Sequence, residues 1–257
     1  MDIMEIINEF KQFKEVKAIA FGGSCTAKTS DSASDIDVYI FVNKDISVDE
    51  RTNLIKKYSS RYETGGEYFG SGDEFYVDKL NKQLDVMYWN SEWFENIVDN
   101  IWIKRYPANG YTTAFLYTLK NFEIIYDPKN WLKNLKDKIN TEYPVELQRN
   151  IIHRNLMLLM DKPFASYYEQ LEKAVQRNDI NSINHRTAAF LASYFDIIFA
   201  LNKLLHPGEK RLVNYALKNC KLLPDNFEKD VNELAAGKIS TKLITAKNMV
   251  ENLRKIL

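Results

Sequence analysis

Two aspartates flank a single isoleucine at Asp35-Ile36-Asp37, where a polar stretch runs into the apolar sequence IDVYIFV. Alternate side chains of a β-strand share a face, so Asp35 and Asp37 point the same way, roughly 7 Å apart, while Ile36 faces the core. Two carboxylates at one spot repel each other unless a cation lies between them, and oxygen ligands suit Mg²⁺. The pair therefore predicts a Mg²⁺ site.

A third aspartate, Asp85, lies in a second apolar run, LDVMYW, at residues 84–89. If this strand lies beside the strand at 36–42, Asp85 joins Asp35 and Asp37 in one cluster. Three acids could hold two Mg²⁺ ions about 4 Å apart, an arrangement that supports in-line displacement at phosphorus. The three aspartates are the predicted catalytic and metal-binding residues.

A glycine turn, Gly22-Gly23-Ser24, follows an apolar run at residues 16–21 and precedes the aspartates. Glycine lets backbone N–H groups approach a phosphate, and a helix that starts at such a turn favours negative charge through its dipole. The Ser24 hydroxyl adds a donor. We therefore expect Gly23 and Ser24 to bind phosphate groups, whereas Lys28 is either a further phosphate contact or a solvated side chain.

The predicted strands position these residues. Apolar, β-branched and aromatic residues at 16–21 and 36–42 predict buried strands, and the stretch 64–89 predicts a β-hairpin or meander. The glycine turn and the aspartates are thereby expected at the ends of neighbouring strands.

Helices are predicted around the strands and throughout the second half of the chain. Apolar spacing predicts a helix at 2–15, and the capping-box pair Ser47 and Glu50 predicts another at 47–59. From residue 144 onward nearly every segment has the helical period, the longest being 182–205. The sequence thus predicts an α+β protein: a catalytic domain at 1–140, with a mixed sheet and flanking helices, followed by a helical bundle at 141–257.

The chain has 257 residues and a formal charge of zero, from 35 Lys and Arg against 35 Asp and Glu. This balance argues against a general nucleic-acid binder, which usually carries a basic excess. Residues 1–140 carry a net charge of −4 and residues 141–257 a net charge of +4. The offset is an observation that the sequence motifs have to explain.

Cysteine content and hydropathy bear on the cellular setting. The two cysteines, Cys25 and Cys220, are too few for a disulfide scaffold and have no zinc-site spacing. No apolar run approaches the roughly 18 residues that span a membrane. We expect a reduced, cytoplasmic protein without a membrane partner.

The order of these motifs resembles the DNA polymerase β-like nucleotidyltransferase superfamily. That superfamily has a Gly-Ser turn, about ten residues, Asp-x-Asp, and a third acid on a later strand. Here the pattern reads GGSCTAKTSDSASDID at residues 22–37, with Asp85-Val86 following. The resemblance implies a mixed-sheet catalytic domain in which Asp35, Asp37 and Asp85 bind two Mg²⁺ ions.

The layout of a short catalytic domain and a helical domain is similar to that of nucleotidyltransferases acting on aminoglycosides or lincosamides. It is also similar to bacterial proteins of undefined substrate built on the same plan. The stretch ALNKLLHPGEKRLVNYALKNCKLLP, at residues 200–224, matches the latter group and, loosely, the aminoglycoside enzymes. The resemblance implies that Lys210, with its neighbour Arg211, contacts the nucleotide triphosphate; a plain solvated helix start is the alternative.

The resemblance implies Mg²⁺-dependent transfer of a nucleoside monophosphate, AMP from ATP, to a hydroxyl of a small molecule, of which antibiotics are one class. Where such enzymes use an additional base it is a glutamate, and the chain offers Glu67, Glu74 or neither. Two alternatives stay open: transfer to a protein partner, and a nucleotide-binding sensor without turnover. The helical half lacks the Arg-(four to six)-His spacing of toxin partners, since Arg149 and His153 are separated by three residues.

Overall fold

The computed structural model describes residues 3–23, 35–68, 70–161 and 164–257. The chain divides into two compact units, Met1–Asp99 with Thr118–Thr141, and Asn100–Tyr117 with Glu142–Leu257. The domain boundary at residue 140 stays a prediction, since a compact unit is not by itself a separate domain.

The first unit contains a mixed sheet, six-stranded within the described residues. Its strands are β1 (Val16–Phe21), β2 (Ile36–Val42), β3 (Arg61–Gly66), β4 (Gly72–Val77), β5 (Lys82–Asn90) and β6 (Glu123–Tyr126). They lie in the order β3-β4-β5-β2-β1-β6. The β2–β5 pair is parallel and every other neighbouring pair is antiparallel. The predicted mixed sheet is confirmed.

Helices of the first part of the chain accompany the sheet. They are α1 (Ile3–Phe10), α2 (Val48–Ile55), α3 (Ser91–Val98), α4 (Ala114–Asn121) and α5 (Trp131–Ile139), with a π-helical turn at Asp99–Ile103. The predicted capping box begins α2: Ser47 Oγ accepts a hydrogen bond from the Glu50 N–H and donates one to Glu50 Oε2. Both helices end before the predicted residues 15 and 59: α1 gives way to turns after Phe10, and α2 ends at Ile55.

The two faces of the sheet differ because alternate residues of each strand point in opposite directions. On one face Val38, Ile40 and Val86 are buried in a core with apolar residues of α1 and α2. On the other face Phe41 packs against Phe94 of α3, with ring centroids 5.2 Å apart. Asp37 and Asp85 precede the buried residues Val38 and Val86 in their strands and therefore lie on the second face.

The second unit consists of helices, as predicted. They are α6 (Val145–Leu156), α7 (Tyr167–Gln176), α8 (Ile180–Leu201), α9 (Leu212–Asn219), α10 (Phe227–Ala236) and α11 (Ile239–Arg254), with a π-helical turn at Met157–Asp161. Side chains of α8, such as Phe190 and Ile198, are completely buried at the centre of its core. Helix α8 ends four residues before the predicted end, because Lys203 is left-handed and the Asn202 side chain bonds Ile198 O and Leu222 O.

Among the described residues, no helix is both long and apolar enough to cross a bilayer.

Candidate active site

Asp37 of β2 and Asp85 of β5 lie directly opposite each other in the parallel pair. Opposed side chains of neighbouring strands lie on the same face, and the strands themselves are about 4.8 Å apart. Both aspartates are half-buried. The Gln83 amide donates to Asp85 Oδ1 at 2.9 Å and so helps to orient that carboxylate. The predicted meeting of the two acidic strands is therefore confirmed.

The pairing continues outward across two further strands. Glu74 of β4 lies opposite Asp85, and Glu63 of β3 lies opposite Glu74. Four carboxylates, Glu63, Glu74, Asp85 and Asp37, thus follow one line across four adjacent strands. We call this line the acidic row.

The carboxylates of the row influence one another. Partial burial, followed by the negative charges of Asp85, Glu63 and Asp35, raises the pKa of Glu74 above its ordinary value. Asp35 is exposed and lies one residue before β2. Its effect on Glu74 indicates that it belongs to the same electrostatic environment as the row, although it is not a member of the strand register.

The glycine turn packs against Asp37, at one end of the acidic row. The Gly22 N–H donates to Asp37 O at 3.0 Å. Gly23 has a φ of +66°, and a Cβ added to it would overlap the Asp37 carboxylate. Only glycine fits both the left-handed backbone and this close approach. The turn and the aspartate, separated by fourteen positions in the sequence, therefore form one local structure.

A cavity of about 240 Å³ lies over the row. All four members of the row line it, together with residues of the glycine-rich β3–β4 connection, including Tyr68. The Tyr68 side chain is 90% exposed at its edge. The cavity is smaller than typical pockets of drug-sized ligands, which occupy roughly 300–1,000 Å³. Within the described residues it is a small cleft lined by carboxylates.

The donor set of the row is suited to Mg²⁺, because it consists entirely of carboxylate oxygens. No group of three or more His, Cys, Asp or Glu side chains in the described parts of the chain has the arrangement of a metal site. The fit therefore rests on the opposed pair Asp37 and Asp85, and the roles of Asp35, Asp37 and Asp85 as catalytic residues and metal ligands stay predictions.

The other predicted site residues belong to the second unit or lie outside the described ranges. Ser24 and Lys28 lie outside the described residues. Lys210 and Arg211 belong to the second unit, where both are exposed. Arg211 is the N-cap of α9 and has a left-handed backbone, with φ at 55°. Their contact with a triphosphate stays a prediction.

Glu63 was not singled out by the sequence, and Glu74 appeared there only as one of two candidate bases. Glu63 and Glu74 meet because β3 and β4 pair in one particular register. The glycine-rich sequence between these strands does not specify that register, because glycines carry no side-chain pattern. Alternation of polar and apolar residues in β4 is the one sequence signal that places Glu74 on the face opposite buried Phe75.

Family models match two adjacent parts of the chain. Residues 3–105 match the model described as a nucleotidyltransferase domain. Residues 110–212 match a domain of unknown function, DUF4037. No curated protein matches the chain.

Solved structures similar to the chain include a nucleotidyltransferase-like protein from Exiguobacterium sibiricum 255-15. It is 10% identical with a TM-score of 0.47, and the match covers 98% of this chain and 72% of that one. Another is spectinomycin adenyltransferase AAD(9) from Enterococcus faecialis, solved with ATP and spectinomycin. It is 12% identical with a TM-score of 0.26, over 98% and 99% of the two chains. Similarity at this level establishes neither the fold nor the substrate of this chain.

The domain match covers all four members of the acidic row and the glycine turn beside Asp37. The family that the sequence motifs resemble is thus confirmed at the level of the domain. Through residues 3–105 this chain carries a nucleotidyltransferase domain, and it is an enzyme of that class.

Proposed function

We propose that the enzyme transfers a nucleoside monophosphate, AMP from ATP, to a hydroxyl group of a small molecule, and that it requires Mg²⁺. The observation that carries this proposal is the opposed pair Asp37 and Asp85, half-buried within the nucleotidyltransferase domain. Two carboxylates held this close are stable together when a cation offsets their repulsion. The same cation is what a triphosphate substrate needs.

Asp37 and Asp85, with Asp35 beside them, would hold Mg²⁺. When bound, Mg²⁺ supplies neutralisation of the phosphate charge and a lower pKa for the attacking hydroxyl. In the proposal, Gly23 and Ser24 contact the phosphates, and Lys210 with Arg211 balances the remaining negative charge of the triphosphate. These four assignments rest on the resemblance of the motifs.

Glu74 is the proposed general base. It lies opposite Asp85 and lines the cavity, whereas Glu67 is exposed and is not among the described residues that line it. In the reaction the acceptor oxygen bonds to the α-phosphorus, and the bond from that phosphorus to the pyrophosphate oxygen breaks. The hydroxyl proton passes to Glu74, and pyrophosphate leaves. A positioned base contributes typically 10²- to 10⁴-fold to such a step.

A small-molecule acceptor is favoured by charge. The chain as a whole is neutral, whereas nucleic-acid acceptors are usually bound by a basic excess. The acidic row itself would repel a polyanionic acceptor. An antibiotic as the acceptor is the narrowest form of the proposal and rests on the resemblance of the two-part layout to enzymes acting on aminoglycosides and lincosamides.

The test is acceptor-dependent release of pyrophosphate. The protein would be incubated with Mg-ATP and a panel of aminoglycosides and lincosamides, with the D37N variant as the control. We expect release with at least one acceptor, its loss in D37N, and transfer of AMP to the acceptor by mass spectrometry. Release that appears only with a protein acceptor would replace the small-molecule proposal, and Mg²⁺-independent ATP binding without release would indicate a sensor.

A further inference from the structure

Strand β3 contains an irregularity close to the acidic row. The register of the β3–β4 pair shifts between Thr64 and Gly66, so Gly65 forms a β-bulge with a φ of +75°. The Gly65 N–H donates to the Asp73 side chain, at 2.9 Å from Oδ1. The bulge lies two residues after Glu63. Bulges of this kind bend a strand and redirect its side chains.

The Asp73 carboxylate is the centre of a buried network on the face opposite Glu74. Its side chain is completely buried, and Oδ2 accepts a hydrogen bond of 2.8 Å from the Tyr88 hydroxyl. Arg51 of α2 lies 3.4 Å from Oδ1, and its guanidinium carbon lies 4.3 Å from the centre of the Tyr88 ring. Asp73 therefore links β3, β4, β5 and α2 at one point.

This network is an uneconomical way to stabilise a fold. A buried ion pair costs several kcal/mol per ion in desolvation, and apolar residues often replace it without loss. Here the Arg51–Asp73 pair is longer than a good charged hydrogen bond, and Arg51 Nε has no hydrogen-bond partner among the described residues. Stability alone does not explain why Arg51 and Asp73 are buried together, whereas a role in holding the backbone of β3 and β4 in position does.

The position of the β3 and β4 backbone directly affects the side chains of the acidic row. Asp73 precedes Glu74 in β4, so fixing one side chain on the core face fixes its neighbour on the opposite face. The Gly65 bulge sets the direction of β3 after Glu63 and of the connection that carries Tyr68 to the cavity. Tyr88 lies three residues after Asp85 on β5, the strand between β2, which carries Asp37, and β4, which carries Glu74.

We propose that Asp73, with Arg51 and Tyr88, is a positioning group that sets Glu74 and Glu63 relative to Asp85. Asp73 is among the residues around the cavity, but its side chain is completely buried and does not reach the substrate. This inference rests on the proposed function for its effect on turnover, but its effect on the strands does not depend on it. A displacement of about 1 Å in a reacting group can cost about 10²-fold in rate. The network is therefore expected to control kcat more than KM.

The test uses Tyr88→Phe, which removes one hydroxyl from the network, and Asp73→Asn as a second variant. Hydrogen exchange of the backbone amides in β3 and β4 is measured together with kcat and the KM for ATP. We expect both variants to fold, with exchange at Gly65 at least tenfold faster. We also expect kcat to be roughly 10- to 100-fold lower and the KM to stay within about twofold. Tyr76→Phe, whose hydroxyl bonds Asn81 at the other end of β4, is the matched control and should change none of these.

The two readouts separate this inference from the proposed function. Exchange at Gly65 unchanged in both variants would overturn the inference, as would faster exchange with kcat unchanged. Faster exchange accompanied by an equal rise in KM and no loss of kcat would also overturn it, since that pattern indicates weakened binding. A wild-type protein inactive with every acceptor would overturn the proposed function and with it the claim on turnover, while the exchange result would still decide whether the network holds the bulge. If Asp73→Asn failed to fold, Tyr88→Phe alone would decide the question.

Discussion

Gly23 lies directly against the carboxylate of Asp37, so close that a Cβ at position 23 would overlap Oδ2. The same residue has a left-handed backbone, with φ at +66°. The glycine turn thus has a second role besides any contact with phosphate. It leaves room for one particular rotamer of an aspartate that opposes Asp85.

Gly23→Ala should damage the site more than the fold. A non-glycine residue in the left-handed region costs roughly 1–2 kcal/mol of stability. The added methyl would also displace the Asp37 carboxylate, so we expect pyrophosphate release to fall by about 100-fold. Gly70→Ala is the control, because Gly70 also has a positive φ, of 109°, but a Cβ there meets nothing within 4 Å. Equal losses of activity in the two variants would mean that backbone strain, and not overlap with Asp37, causes the effect.

Asp85→Asn should make the protein more stable without Mg²⁺ and insensitive to Mg²⁺. Each like-charge pair across two strands costs roughly 0.2–1 kcal/mol, and this substitution relieves the repulsion with both Asp37 and Glu74. We expect the unfolding midpoint in EDTA to rise by about 1–3 °C. Thermal unfolding with and without Mg²⁺ measures both effects.

Asp45→Asn is the control for that experiment, because Asp45 is an exposed residue outside the row. It should match the wild type, whose midpoint rises when Mg²⁺ is added. A wild-type midpoint unaffected by Mg²⁺, or a D85N midpoint that still rises, would show that Asp37 and Asp85 are not a Mg²⁺ site.

The half of the acidic row formed by Asp37 and Asp85 could largely be predicted from sequence. Asp37 and Asp85 each occur in an apolar run that excludes a solvated loop, and the two runs have the length of single strands. Local pattern was sufficient because each aspartate's face is set by the buried residues beside it, such as Val38 and Val86. Only the adjacency of the two strands required the motif order as a guide.

The half formed by Glu63 and Glu74 could not be predicted in the same way. Glu63 stands in RYETGG, a sequence with no alternation of apolar residues, and it reaches the row through pairing with Glu74. That pairing includes the Gly65 bulge, whose N–H donates to the Asp73 side chain across the two strands. Alternation with Phe75 separates Asp73 from Glu74 by face, but nothing in the sequence indicates that the Asp73 carboxylate is buried.

His206 should make the second unit sensitive to acid. It is completely buried, and this burial lowers its pKa to about 4. Nδ1 accepts from the Gly208 N–H at 3.2 Å, so the proton of the neutral ring is on Nε2, which has no partner within the described residues. The unfolded chain, with a histidine pKa near 6.5, takes up the proton first. Through His206 alone, the free energy of unfolding is therefore unaffected above about pH 6.5 and falls by roughly 3 kcal/mol as the pH drops to 4.

His206→Asn removes this titration while keeping an acceptor near Nδ1. Urea unfolding at several pH values between 7 and 4 should show a flatter pH dependence in H206N than in the wild type, whatever the difference at pH 7. His185→Asn, at an exposed position of α8, should follow the wild-type curve. Parallel curves for H206N and the wild type would mean that other groups cause the acid sensitivity.

Glu74→Gln and Glu67→Gln together decide which glutamate is the base. Glutamine at position 74 keeps the shape of the side chain and removes its ability to take a proton, so kcat should fall by about 10²- to 10⁴-fold. Nucleotide binding measured by calorimetry should be retained, because Asp37 and Asp85 are unchanged. Glu67→Gln serves as the matched variant and should lower kcat by less than about threefold. A large loss in E67Q with none in E74Q would reverse the assignment. Small losses in both would mean that the acceptor hydroxyl is activated without a glutamate base, leaving Glu74 to orient the acceptor or to tune the charge beside Asp85.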